Sequence, residues 1–160
     1  MKRLLSLMIA ALVLAAGGAQ AQPTTVPAPT AVSQDEGFLA KNAAAPGVKT
    51  LASGLQYKIV QSGPAGPSPK PGDIIKVHYE GALTSGQVFD SSFARGKPAL
   101  MPLADLVPAW MEALPLMRVG DEWILYAPPA LGYGADGAGP IPPNSVLIFR
   151  IKLLGMLSPD

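Results

Sequence analysis

One histidine, no cysteine and eleven acidic residues set narrow limits on the chemistry this chain can perform. Nucleophilic catalysis needs a nucleophile, a base and a group that orients the base. The single histidine, His78, falls on the outward side of an alternating stretch, where it reads as a solvated strand residue, so no Ser-His-acid set is assembled around it. Metal binding is equally undersupplied, with one imidazole, no thiolate and no dense carboxylate cluster at ligand spacing. Neither a metal nor a cofactor is expected. The run Gly132-Tyr133-Gly134-Ala135-Asp136-Gly137 matches G-x-G-x-x-G literally. A dinucleotide site requires that motif to open a helix whose N–H groups meet the pyrophosphate. Here Ala138-Gly139-Pro140-Ile141-Pro142-Pro143 follows, which cannot be helical. What remains is a chain rich in apolar and aromatic side chains and without an ordinary catalytic group.

The elements that must position those side chains are mostly strands. Ile75, Val77 and Tyr79 alternate with Lys76, His78 and Glu80, and Leu147, Phe149, Ile151 and Leu153 alternate with Ile148, Arg150 and Lys152. A period of two gives a strand with one wet face. Residues 55–61 and 122–127 are weaker strand candidates, rich in β-branched and aromatic residues. Residues 63–72 hold four prolines and three glycines and must be loop. One apolar helix interrupts the pattern over residues 107–114. Pro108 sits where a first turn tolerates it, and Val107, Trp110, Met111 and Leu114 share a face. Several strands with one short helix predict an α+β fold, an antiparallel twisted sheet wrapped around a central helix.

The first residues are of another kind. Lys2 and Arg3 precede a stretch, residues 4–16, that is apolar apart from Ser6, and Ala19-Gln20-Ala21 has the small-x-small form of a cleavage site. A stretch of thirteen residues is too short to span a bilayer, so residues 1–21 read as a secretory signal peptide and no membrane association is expected after its removal. Residues 22–50 read as a flexible Pro/Ala-rich tether with a short helix. Ser33 and Glu36 fit a capping box, Phe38, Leu39 and Ala43 could line one side, and Pro46-Gly47 stops it. Residues 51–160 form the folded domain. Charged residues make up only 14% of the chain, and loss of Lys2 and Arg3 turns its net charge from +1 to about −1. There is no basic excess to neutralise phosphates, so nucleic acid is not an expected partner.

Three segments then carry a specific likeness. Val77-His78-Tyr79-Glu80-Gly81, Phe89-Asp90-Ser91-Ser92 and Ile141-Pro142-Pro143-Asn144-Ser145-Val146-Leu147-Ile148-Phe149 resemble the signature segments of FKBP-type peptidyl-prolyl cis-trans isomerases. Ser53-Gly54-Leu55-Gln56-Tyr57 resembles the entry strand of bacterial members, including those of the macrophage-infectivity-potentiator kind, and Pro108-Ala109-Trp110 and Tyr133-Gly134 follow in the expected order. The likeness covers about residues 50–155. It implies a prolyl-binding pocket whose catalytic side chains are Tyr79, Phe89, Asp90, Trp110, Tyr133 and Phe149, with substrate also touched by Arg95, Met101, Leu106, Val107 and Ile141. Trp110 would floor the pocket and Tyr79, Phe89 and Phe149 would wall it. The Val107 N–H and the Tyr133 hydroxyl would bind ligand carbonyls, and Asp90 would pair with Arg95 at the rim. Each residue also has a plainer reading: Tyr79, Phe149 and Trp110 as core, Asp90 as a turn residue, Tyr133 as a loop aromatic. Three departures from the family pattern bear on substrate preference and macrolide affinity. Ala99 stands where some members have an aromatic, Ala109 replaces a common glycine, and the loop from Tyr133 to Ile141 is one residue short.

The implied activity is rotation about X–Pro bonds of exported proteins, assisting their folding. The implied partners are proline-containing unfolded or partly folded chains, with macrolide inhibitors as candidate ligands. The same pocket could instead serve a holdase chaperone or a non-catalytic peptide-binding module. The short extension before residue 50 lacks the long helix of dimeric exported relatives, which favours a monomer, and the leader points to the periplasm or the extracellular space.

Overall fold

Strands with one apolar face need a common body to cover it, and here that body is a short helix lying across the sheet. The computed structural model describes residues 31–159. Its strands are β1 (Val48–Thr50), β2 (Gln56–Gln61), β3 (Ile74–Leu83), β4 (Val88–Ser91), β5 (Ala99–Pro102), β6 (Glu122–Ala127) and β7 (Leu147–Leu157); its α-helices are α1 (Ala31–Ala43) and α2 (Pro108–Ala113). All strand pairs are antiparallel, in the order β1-β2-β6-β7-β3-β4, with β5 also on β3. The expected α+β class holds, and the period-two stretches become the two longest strands, β3 and β7, which pair along their whole length.

On its other edge β3 has two partners in turn. β5 pairs with residues 74–77 and β4 with residues 80–82. The gap between them falls at Tyr79, and Ser92 fills it: the Ser92 N–H donates to the Tyr79 carbonyl at 2.9 Å, and the Tyr79 N–H donates to the Ser92 hydroxyl at 2.7 Å. Ser92 is fully buried, so a side-chain oxygen completes the ladder that no strand completes there.

α2 opens with Pro108 at its first turn, as expected, and buries Ala109, Trp110 and Ala113; a 3-10 turn over Leu114–Leu116 extends it. Leu114, Leu125, Leu147, Ile151, Leu153, Ile75 and Val77 close the core between helix and sheet without solvent exposure worth noting. The helix face is broader than the expected one. Ala109 and Ala113 turn inward beside Trp110 and Leu114, whereas Val107 and Met111 are half-buried.

The expected signal peptide and residues 22–30 lie outside the described residues. α1 is already helical at Ala31, so Ser33 stands inside the helix rather than at its cap, a correction to the capping-box reading. The stretch expected as tether also supplies β1, which extends the sheet on β2. Polar clamps dock α1 to the sheet. Asp35, 5% exposed, accepts from the Thr84 hydroxyl at 2.6 Å and from the Val146 N–H at 2.8 Å. At the other end the buried Gln56 donates to the Leu39 carbonyl and accepts from the Asn42 amide. Phe38 lies 6.0 Å from the Tyr126 ring, while Ala43 faces solvent.

Candidate prolyl-binding site

Register brings the aromatic residues together. Gly81 of β3 stands opposite both Phe149 of β7 and Asp90 of β4, so the side chains of Phe149 and Phe89 approach over a residue that has none. A Cβ at Gly81 would stand 2.5 Å from the far edge of the Phe89 ring and 3.2 Å from Phe149. Trp110, carried by α2, meets Tyr79 edge-on at 5.2 Å and Phe149 edge-on at 5.7 Å, and Phe89 meets Phe149 edge-on at 5.9 Å. Edge-to-face contact suits rings whose faces are electron-rich and whose edges are not. The result is a cavity of about 270 Å³ floored and walled by four rings that meet edge-on in three successive pairs.

Nine of the eleven residues singled out from the sequence line this cavity: Tyr79, Phe89, Asp90, Met101, Leu106, Val107, Trp110, Tyr133 and Phe149. Arg95 and Ile141 do not. Arg95 stands at the rim, donating to the Asp90 carboxylate and, at 3.1 Å, to the Tyr79 hydroxyl oxygen, with its guanidinium 5.7 Å from the Tyr79 ring. Ile141 is buried in the core; its N–H and carbonyl pair with Ala138, bracing the loop that carries Tyr133. That loop turns where a dinucleotide motif would start a helix, so the G-x-G-x-x-G match is without structural content. His78 is also away from the cavity lining, stacked on Phe93 at 4.7 Å and in contact with the Ser92 hydroxyl.

The rim electrostatics follow from one triad. Tyr79 donates its hydroxyl to Asp90, which also takes the Arg95 donor. Burial pushes the Asp90 carboxyl upward, but the Tyr79 and Arg95 hydrogen bonds outweigh it, and the group lies below its ordinary value of 3.8. Burial, then the Asp90 hydrogen bond, raises the Tyr79 phenol, so it stays a donor. Asp90 and Arg95 also cancel in charge.

The Val107 N–H and the Tyr133 hydroxyl, on residues lining the cavity, have no partner among the described residues, and Tyr133 is 41% exposed. The buried Trp110 Nε1 is likewise unpaired. Sequence reasoning missed two contributors. Asp105 lines the cavity with φ of 55°, a conformation that Asp tolerates better than most residues; its only signal was a polar break just before Leu106 and Val107. Gly81 was quoted within a motif but given no role.

Known proteins resemble this chain in sequence and fold. The profile of the family described as FKBP-type peptidyl-prolyl cis-trans isomerase matches residues 66–154. The chain belongs to the FKBP-type peptidyl-prolyl cis-trans isomerase family. A second profile, a domain amino-terminal to FKBP-type isomerases, matches residues 11–59, which include α1 and β1. The chain is 51% identical over 120 residues to the peptidyl-prolyl cis-trans isomerase Mip of Coxiella burnetii, covering 74% of this chain and 52% of that protein. It is 48% identical over 124 residues to the FKBP-type isomerase FkpA of Aeromonas hydrophila, covering 78% of this chain and 46% of the relative. It therefore spans about half the length of these bacterial relatives. A crystal structure of a peptidyl-prolyl cis-trans isomerase from Pseudomonas syringae pv. tomato superposes with a TM-score of 0.74 at 36% identity, covering 82% of this chain and 98% of the other. Among the described residues no helix is long and apolar enough to cross a membrane.

Proposed function

We propose that this FKBP-type chain catalyses cis-trans isomerisation of X–Pro bonds in proteins of the bacterial envelope. The observation that supports this reading most directly is the aromatic cavity with unpartnered donors at its mouth. Rotation about a prolyl bond faces a barrier of about 18–20 kcal/mol because the amide has partial double-bond character. No bond is cleaved, so a site without nucleophile or base suffices. The twisted transition state has lost resonance and is less polar at its carbonyl than the planar amide. A pocket walled by Tyr79, Phe89, Trp110 and Phe149 excludes water and so disfavours the planar form more than the twisted one. The Val107 N–H and the Tyr133 hydroxyl can each donate to a flanking carbonyl and hold the chain turned. Each ~1.36 kcal/mol of such differential stabilisation is a tenfold gain in rate, so a few fixed contacts give several powers of ten.

The substrates in this reading are unfolded or partly folded proteins with accessible prolines, and macrolides are candidate inhibitors of the same cavity. The leader-like residues 1–21 support export to the periplasm. The folded part is taken as a monomer, which sedimentation checks directly. Membership of the isomerase family, with relatives named as isomerases at about 50% identity, favours turnover over holdase-like retention.

The test is a proline-limited refolding assay with the purified protein. The chain is expected to accelerate the slow phase in proportion to its concentration. Tyr133→Phe, which removes one unpartnered donor at an exposed position, is expected to lower kcat/KM by about threefold to tenfold with unchanged unfolding. A slow phase insensitive to the wild-type protein at stoichiometric concentration overturns the proposal.

A further inference from the structure

Among the residues lining the cavity only two are ionisable at neutral pH, Asp90 and Asp105. Asp90 is neutralised by Arg95 and tied to Tyr79. Asp105 has no hydrogen-bond or ion-pair partner among the described residues and is exposed at the mouth. The cavity therefore presents one uncompensated negative charge. It stands two residues from the Val107 N–H, the donor expected to hold a substrate carbonyl. Resting on the isomerase reading, we propose that Asp105 is a specificity-determining residue that favours substrates with lysine or arginine next to the proline.

The placement is a consequence of the backbone. Between β5 and α2 the chain bends over residues 103–105, and at Asp105 it takes a φ of 55°. There it lines the cavity beside Leu106 and Val107 and stays exposed to solvent. The neighbouring wall is apolar, formed by Met101, Leu106 and Val107, so a lysine or arginine stem lies on carbon while its charged end meets the carboxylate. A glutamate in the same place faces a like charge. Exposed pairs of this kind are weak and screened by salt, which sets the expected size at about twofold to fivefold.

The experiment measures kcat/KM for two series of short peptides, X-Pro-Ala and Ala-Pro-X, with X lysine, leucine or glutamate, at low and high salt. In the wild-type protein, lysine is expected to exceed glutamate by about twofold to fivefold in at least one series, and high salt to erase the difference. Asp105→Asn keeps a residue that accepts positive φ and is expected to bring the lysine and glutamate values together. The wild-type salt dependence stands even if that variant folds poorly. Equal lysine and glutamate values in both series at low salt, or a preference that survives in Asp105→Asn, overturns the role of Asp105. Absence of turnover of the leucine peptides overturns the isomerase reading instead, so the two failures are distinguishable.

Discussion

Replacing Gly81 by alanine tests whether the wall of the cavity, rather than its mere presence, governs turnover. The backbone there is ordinary extended strand, since Gly81 is not among the residues with positive φ, so alanine meets no conformational penalty. The cost is steric. The new methyl would stand 2.5 Å from Cε2 and Cζ of Phe89. Carbon atoms at contact sit about 3.5–4.0 Å apart, so the ring edge must retreat by about 1 Å. Those atoms are the far end of the side chain and can swing, whereas Phe149, at 3.2 Å, is wedged against Trp110 and yields less. Phe89 would leave its edge-on contact with Phe149 and displace the wall. Overpacking of this sort costs about 1–3 kcal/mol, read by urea unfolding. A wall moved by about 1 Å is expected to lower kcat/KM in the prolyl isomerisation assay by tenfold or more. Adding Phe89→Leu shortens the clashing side chain and is expected to restore much of the stability while leaving activity low. Activity equal to wild type in the folded Gly81→Ala protein would refute the reasoning, because it would mean the Phe89 wall takes no part in turnover.

Two further outcomes follow from buried or paired carboxylates. Asp90 is depressed below 3.8 in the folded protein, so between its folded and unfolded pKa the unfolded chain binds the extra proton and stability rises with pH. Its contribution is therefore present above 3.8 and lost as pH falls through the lower folded value; Asp90→Asn is expected to flatten that acid limb of urea-unfolding stability, modestly because the side chain is 41% exposed. An acid limb identical in the two proteins would contradict this. Asp35→Ala strands the buried Val146 N–H and is expected to destabilise by about 1–3 kcal/mol in the same assay, and a change below about 0.5 kcal/mol would show that α1 docks by other means.

Local pattern alone determined a good deal. The alternation around Val77 and around Ile151 predicted β3 and β7 because side-chain direction in a strand has a period of two whatever its neighbours are. Pro108 marked the start of α2 because a first helical turn needs no N–H from that residue. A lone histidine and the absence of cysteine argue against nucleophilic and thiolate chemistry from composition alone, and the family-like segments include most of the nine predicted residues that line the cavity. The tertiary structure alone decided how the segments meet. That β4 and β5 share one edge of β3, leaving Ser92 to hold Tyr79, depends on pairings between residues far apart in sequence. The same is true of the space above Gly81, the burial of Ile141 behind the cavity, the clamp at Asp35 and the free carboxylate of Asp105. Each depends on which atoms from distant segments arrive at one place, and a residue's own periodicity holds no record of them.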